Sequence, residues 1–241
     1  MFFKFYPEGS DKYIFNEEGY VSLRFTQPDS LNDIFEIDPI FNHRGEINEI
    51  IEAVIKIHKT IRANETVDLY DSDQYIYPIT RNDSPEEIAK KMYEERNKRY
   101  IDGYKRDMNK TYGILSLTDD VKNTLMWSKY SSEHSGYAIE IPFPLVEKLN
   151  IDKIERDFGV KLDNDKNGFY IDLKPEPVIY STDRPIIDEG GLDTSFMYVK
   201  DDRWSAEREH RIACPLYAFE NTRKKIKKVT IYTNIDCLPN N

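Results

Sequence analysis

The sequence predicts an α+β fold: a twisted, mostly antiparallel sheet with a helical insertion, and one central helix packed on the sheet. Three observations lead there. Short strand-like segments with alternating apolar positions stand at both ends of the chain, from "FFKFY" and "GYVSLRFT" to "REHRIACPL" and "KKVTIYTNI". Between the first two and the rest, residues from about 42 to 109 carry helical periodicity. A single further helix, roughly Val121 to His134, interrupts the later strands. The 241 residues read as one domain, 1–241, with the helical insertion at about 42–109.

Taken in order, "FFKFY" and "GYVSLRFT" are two strands joined by a polar connection containing Asn16 and Gly19. "QPDSLNDIFE" is a turn, rich in residues that hydrogen-bond their own backbone. In "EINEIIEAVIKIHKTI", Ile47, Ile50, Ile51, Val54, Ile55 and Ile61 form one buried helical face. The next helix opens with Ser84 as cap, Pro85 at the first helical position and Glu87 completing a capping box. Its narrow stripe through Ile88, Met92, Tyr100 and Tyr104 predicts a surface helix. After residue 110 come the strands "YGILSLT", "GYAIEI", "FYIDL" and "VIYS". The central helix has Asp119 or Asp120 near its start and Gly136 as a left-handed stop.

Composition bounds the function. A net charge of -10 argues against a general electrostatic grip on nucleic acid, which depends on Lys and Arg neutralising phosphates. The one dense basic run, "TRKKIKK", is a solvated strand edge or a local basic groove. Two cysteines, Cys214 and Cys237, without CxxC spacing and with no apolar segment of membrane-spanning length, predict a reduced, cytoplasmic protein with no membrane partner. His58 lies in the first helix and His43 and His210 lack partners at ligand spacing, so no metal is expected.

Three constellations can carry chemistry. Asn123, Trp127, Tyr130 and His134 are spaced four, three and four apart, which places them on one helix face. Such a face stacks on a planar ligand and holds its polar edge, or else is a core stripe with internally satisfied tips. In "VKDDRWSAEREHRI", Glu207, Glu209 and Arg211 alternate along a strand and share a face, with Trp204 just upstream. Their mutual repulsion would raise one carboxyl pKa for acid–base work, and Arg211 would hold either in its charged form; the alternative is an exposed charged face. In "DNDKNGFYIDLK", Asp163 or Asp165 before Asp172 and Lys174 resembles the carboxylate and D-x-K order of restriction-type magnesium-dependent nucleases; the alternative is a loop at "DNDKNG" with a D-x-K spacing that arises by chance in so charged a chain.

Four blocks taken together, "LRFTQPDSLNDIFE", "YGILSLTDDVKNTLMWSKYSSEHSGYAIEI", "VIYS" and "YVKDDRWSAEREHRI", resemble the bacterial domain-of-unknown-function family 2971 in order and spacing over most of the chain. The family motifs fall on Asn32, Asp33, Phe35 and Glu36, on Met126, Trp127, Tyr130, His134 and Gly136, and on Lys200, Trp204, Glu207, Glu209 and Arg211. The resemblance implies a context of phage defence and abortive infection. It also implies a layout similar to ADP-ribosyltransferases, with NAD as co-substrate. On that analogy Arg24 or Tyr6 would hold the NAD phosphates and ribose, Ser116 and Thr118 would line the nicotinamide pocket with Tyr130 stacking, and Glu209 would stabilise an oxocarbenium-like transition state. The chain departs from that layout in lacking a clear serine-x-serine motif before a strand end.

The leading expectation is therefore an NAD-binding, ADP-ribosyltransferase-like effector or toxin component. The alternatives are a magnesium-dependent nuclease, or a noncatalytic sensor module that binds a nucleotide-type small molecule or a protein or nucleic-acid target. Whether the aromatic helix and the carboxylates open into one cleft discriminates between them.

Overall fold

The computed structural model describes residues 1–15, 20–31, 38–42, 46–71, 74–143, 145–148, 151–158, 161, 170–188, 194–216, 223–226 and 229–233. In chain order they form β1 (Phe2–Tyr6), α1 (Asp11–Ile14), β2 (Val21–Arg24), β3 (Ile40–Asn42), α2 (Glu46–His58), β4 (Thr66–Tyr70), β5 (Ile76–Thr80) and α3 (Pro85–Thr111). Next come β6 (Tyr112–Thr118), α4 (Thr124–Tyr130), β7 (Tyr137–Ile141), β8 (Leu145–Lys148), α5 (Ile151–Phe158), β9 (Tyr170–Leu173), β10 (Glu176–Pro177) and β11 (Ile179–Ser181). The last are β12 (Ile186–Asp188), β13 (Val199–Asp201), β14 (Glu209–Pro215), β15 (Arg223–Ile226) and β16 (Thr230–Thr233). Two compact units result: Met1–Pro39 with Met108–Pro185 and Asp193–Asn241, and Ile40–Asp107 with Ile186–Leu192.

The first unit is α+β. Its sheet runs β10-β14-β6-β1-β7-β16, antiparallel at every step. Alternation along the strands divides the core into two faces. Leu115, Leu117, Ile139, Ile141 and Ile212 pack on one side with Leu23 and Phe25. Phe3, Phe5 and Ala138 receive Met126 and Trp127 of α4 on the other. The central helix is thus held by an edge-to-face contact between Phe5 and Trp127, ring centroids 4.9 Å apart.

The sheet is interrupted at its middle. Strand β1 pairs with β7 over five residues, yet meets β6 only at Phe3 and Thr118. Further along β6, Thr26 takes over, exchanging both backbone hydrogen bonds with Ile114 at 2.8 Å. Between those points β1 and β6 part.

The helix α4 is shorter than its sequence pattern. It spans Thr124–Tyr130, and Ser132, Glu133 and His134 come after it with positive φ of 48°, 51° and 75°. Asn123, not Asp119 or Asp120, is the cap: its side-chain oxygen accepts from the amides of Leu125 and Met126. Gly136 is not the left-handed stop either. A Cβ there would lie 2.1 Å from the Tyr6 carbonyl oxygen, so glycine is required by the close approach of β1.

The second unit contains the insertion, which holds strands as well as helices. A hairpin of β4 and β5 lies between α2 and α3, and β3 pairs in parallel with β12. The segments "TVDLY" and "IYPIT" are rich in β-branched and aromatic residues, a strand signal that the helical pattern around them masks. Val54 and Ile61 pack with Leu69, Tyr77, Ile79, Ala89 and Met92. Ile50, Ile51 and Ile57 pack against this core without full burial, and Ile55 is also only half-buried. Only Ala89 and Met92 of α3 are buried, as its narrow stripe implies. Ser84 accepts from the Glu87 amide at 3.4 Å, and its hydroxyl reaches Glu86 rather than Glu87. Among the described residues, no helix is long and apolar enough to cross a membrane.

Candidate functional site

The late motif builds a buried row of charges from three adjoining pieces of backbone. Lys200 comes from β13, Glu207 from the 3₁₀ turn Asp202–Glu207, and Glu209 and Arg211 from β14. Glu207 is therefore not on the strand, as the alternation suggests. Arg208 between the two glutamates is left-handed at φ 49°, which breaks the strand period and turns both carboxylates toward Lys200. The Arg208 side chain anchors this bend on Asp119 at 2.9 Å and Asp120 at 3.5 Å.

The Lys200 ammonium donates to Glu207 Oε2 and Glu209 Oε2, both at 2.8 Å. Arg211 donates through Nε to Glu209 Oε1 at 2.7 Å, and through its terminal nitrogens to Glu209 Oε2 at 3.2 Å and the Met197 carbonyl at 2.7 Å. Glu207 Oε1 accepts from Lys129 Nζ and from the Tyr130 hydroxyl, each at 2.8 Å. Lys129 also lies over the Trp204 ring, 3.4 Å from its centroid. The hydroxyl of Tyr180, the tyrosine of "VIYS", accepts from the Glu209 amide at 2.7 Å. Every carboxylate oxygen in the row is thus bonded, which is what permits two glutamates to be buried side by side.

Burial by itself raises the Glu209 carboxyl, but Arg211 and then Lys200 outweigh it and hold it down to about 2. Glu209 is therefore not the raised member of a repelling carboxylate pair that the motif suggests: interleaved cations remove the repulsion that would have lifted it.

This row forms one wall of a cleft of about 270 Å³. Lys200, Glu207, Glu209 and Tyr130 line it, with Phe3, Phe5 and Met126 as its apolar surface and Ser116 and Leu117 from β6. It opens where β1 and β6 part. Lys4 lines it too, its ammonium donating to the Ser116 carbonyl at 3.2 Å. Burial drags the Lys4 ammonium down to about 8, with Glu209 pulling weakly the other way.

The other sequence-derived site residues stand elsewhere. Trp127 is 1 % exposed, and its indole N–H donates to the Val121 carbonyl at 2.7 Å, so it is core. Asn123 commits its oxygen to the helix cap and its NH₂ to the Ala206 carbonyl at 2.6 Å. His134 lies past the end of the helix, exposed. The four-residue face therefore exists only at Tyr130, because the helix ends before His134 and the other two tips are satisfied internally. Arg211 is fully buried and bonds to the cleft-lining Glu209 without lining the cleft itself. Tyr6 stacks on Tyr137 at 5.7 Å on the opposite side of β1, and Arg24 is exposed at the end of β2; neither lines the cleft. Trp204 is half-buried behind Lys129. Thr118 is buried beside Glu209 in the ladder. Asn32, Asp33, Phe35 and Glu36 lie outside the described residues, although Ser30 and Leu31 just before them line the cleft.

Sequence reasoning misses Lys4 and Lys129. Lys4 does carry a signal: it is the one charge in "FFKFY", where a lone ammonium among four aromatics needs a reason. Of the nuclease candidates, Asp163 and Asp165 lie outside the described residues. Asp172 and Lys174 form an exposed ion pair of 2.9 Å with each other and do not line the cleft.

A family model encloses the charged row and overlaps parts of α4 and β14. Residues 126–212 match the family model described as a protein of unknown function (DUF2971). That stretch is similar to DUF2971. No curated protein and no solved structure matches the chain. The DUF2971 match begins at Met126 in the cleft and ends just after Arg211, so it encloses Tyr130, Lys200, Glu207 and Glu209 but leaves out Lys4 and Ser116.

Proposed function

We propose that the cleft binds a nucleotide-type anion and that the protein is an NAD-using, ADP-ribosyltransferase-like effector. The observation that carries this reading is the convergence of Tyr130 from α4 with Glu207 and Glu209 in one cleft beside Lys4 and Lys200. A carboxylate held ionised is the group required beside a ribose carbon that gains positive charge as its nicotinamide bond breaks. Glu209 is such a carboxylate, since Arg211 and Lys200 keep it charged throughout the neutral range. The volume suits the ribose and one flanking group rather than a whole dinucleotide, so the nicotinamide-ribose half would occupy it and the remainder would extend outward. A role in phage defence belongs to this proposal through the family resemblance.

The test is incubation of the full chain with NAD labelled in the adenylate part, alone and with cell extract, alongside Glu209→Gln and Glu207→Gln. Release of nicotinamide or labelling of a macromolecule, lost in Glu209→Gln, supports the reading. Wild-type protein that neither binds nor consumes NAD rejects it.

A noncatalytic reading has one specific support: all four carboxylate oxygens are already engaged by Lys129, Tyr130, Lys200 and Arg211. In that case the cleft binds its nucleotide without turnover, and the same incubation shows saturable binding with no product.

A further inference from the structure

Lys4 is the charge that the rest of the site leaves over. Lys129 and Lys200 hold Glu207, while Lys200 and Arg211 hold Glu209. Among the described residues, Lys129, Lys200 and Arg211 thus stand against Glu207 and Glu209, and Lys4 lies in the same cleft as Lys200 and the two glutamates. Among the described residues no carboxylate lies within ion-pair distance of Lys4, whose ammonium is held in place by the Ser116 carbonyl at 3.2 Å. A half-buried ammonium so placed is costly until a counter-charge arrives. The groups that face it across the cleft are Glu209 from β14, Glu207 from the 3₁₀ turn, Lys200 from β13 and Tyr130 from α4.

We propose that Lys4 is the anion-seating residue of this cleft and that the group it seats is the phosphate of a sugar phosphate or nucleotide. A phosphate monoester carries about -1.5 to -2 near neutrality and three strong acceptor oxygens, so it offers the Lys4 ammonium a stronger counter-charge than a carboxylate does. The seat lies at the parting of β1 and β6, where Lys4 enters from one strand and Ser116 from the other. It replaces Arg24 and Tyr6, which stand outside the cleft, as the phosphate-holding group on the early strands. The sugar in this proposal rests on the nucleotide reading of the site; the anion does not.

The experiment titrates AMP and inorganic phosphate into the full chain by calorimetry, with adenosine as the uncharged control, for wild type, Lys4→Arg and Lys4→Met. AMP is expected to bind at least about tenfold more tightly than adenosine, and Lys4→Met to lose that difference while Lys4→Arg keeps most of it. Wild-type affinity should fall about tenfold in all as pH rises past about 8, while the Arg variant stays level. Reductive methylation with carbon-13 keeps the test open should Lys4→Met fail to fold. The Lys4 resonance should then titrate near pH 8 and move up by about one unit in saturating phosphate. Absence of AMP and phosphate binding, equal AMP affinity in Lys4→Met, or a Lys4 resonance indifferent to phosphate overturns the seat. Binding of AMP through Lys4 without any binding or cleavage of NAD keeps the seat and removes the NAD reading. NAD held at full affinity by Lys4→Met does the reverse.

Discussion

Lys200 Nζ stands 2.8 Å from Glu209 Oε2, with the lysine side chain 2 % and the glutamate 5 % exposed. A pair so far out of water tolerates the loss of neither partner, because the remaining charge keeps its full desolvation cost. Lys200→Met is therefore expected to lower stability by about 3–5 kcal/mol. Urea denaturation measures it, and combining Lys200→Met with Glu207→Gln should recover part of the loss.

Glu209, held ionised first by Arg211 and then by Lys200, makes stability depend on acid. Glu209 has a folded pKa of about 2 against an ordinary 4.5, so its contribution is complete above pH 4.5 and disappears as pH falls toward 2. The loss over that window is about 3 kcal/mol, and Glu209→Gln should flatten it. Denaturation midpoints compared across the acid range give the slope.

Lys4 shares the sign of that slope but not the favoured form: here the charged state is the one the fold disfavours. Its folded pKa, about 8, lies below the ordinary 10.5, so the ammonium form destabilises the unliganded fold and stability from this group rises between those values. Lys4→Met should stabilise the unliganded protein near neutrality by about 1–2 kcal/mol, after allowing for the Ser116 carbonyl it abandons. A stabilised protein that has lost its phosphate affinity is the signature of a residue kept for binding rather than for folding. A loss of stability in that variant would place Lys4 among the structural residues.

Gly136→Ala probes the close approach of β1 behind α4. The new Cβ meets the Tyr6 carbonyl at 2.1 Å and the Ser131 Cα at 2.9 Å, both backbone atoms that cannot swing aside. A loss of about 3 kcal/mol is expected, read as a fall in the thermal midpoint.

Asn123→Ala separates scaffold from site. It removes a helix cap and the bond to the Ala206 carbonyl, for a cost of about 1–2 kcal/mol, while ligand affinity changes little. Tyr130→Phe should do the converse, since the lost hydroxyl serves Glu207 in the cleft.

Legibility in the sequence depends on the range of each signal. The strands "FFKFY", "YGILSLT", "GYAIEI" and "REHRIACPL" show their period locally, and the fold class rests on them. The late motif names Lys200, Glu207, Glu209 and Arg211 together, and the structure brings those four into contact. The central helix reads too long in the sequence because Trp127, Tyr130 and His134 keep a helical spacing that the backbone abandons at Ser131, beyond which stand three positive-φ residues. No apolar period encodes that run, which leads into the close approach of Gly136 to the Tyr6 carbonyl of β1, a contact distant in sequence. Lys4 escapes a local reading for a related reason: strand alternation assigns it a face, but its role depends on β6 pairing with β1 at one residue and with Thr26 beyond. That parting is a long-range property, with Lys4 and Ser116 separated by 112 positions.

The proposed site is tested most directly by a crystal structure of the full chain grown with saturating NAD. Density is expected in the cleft between β1 and β6, with a ribose against Glu209 and a phosphate on Lys4. A ligand bound at another surface, or a cleft that stays empty while NAD binds elsewhere in solution, would contradict it.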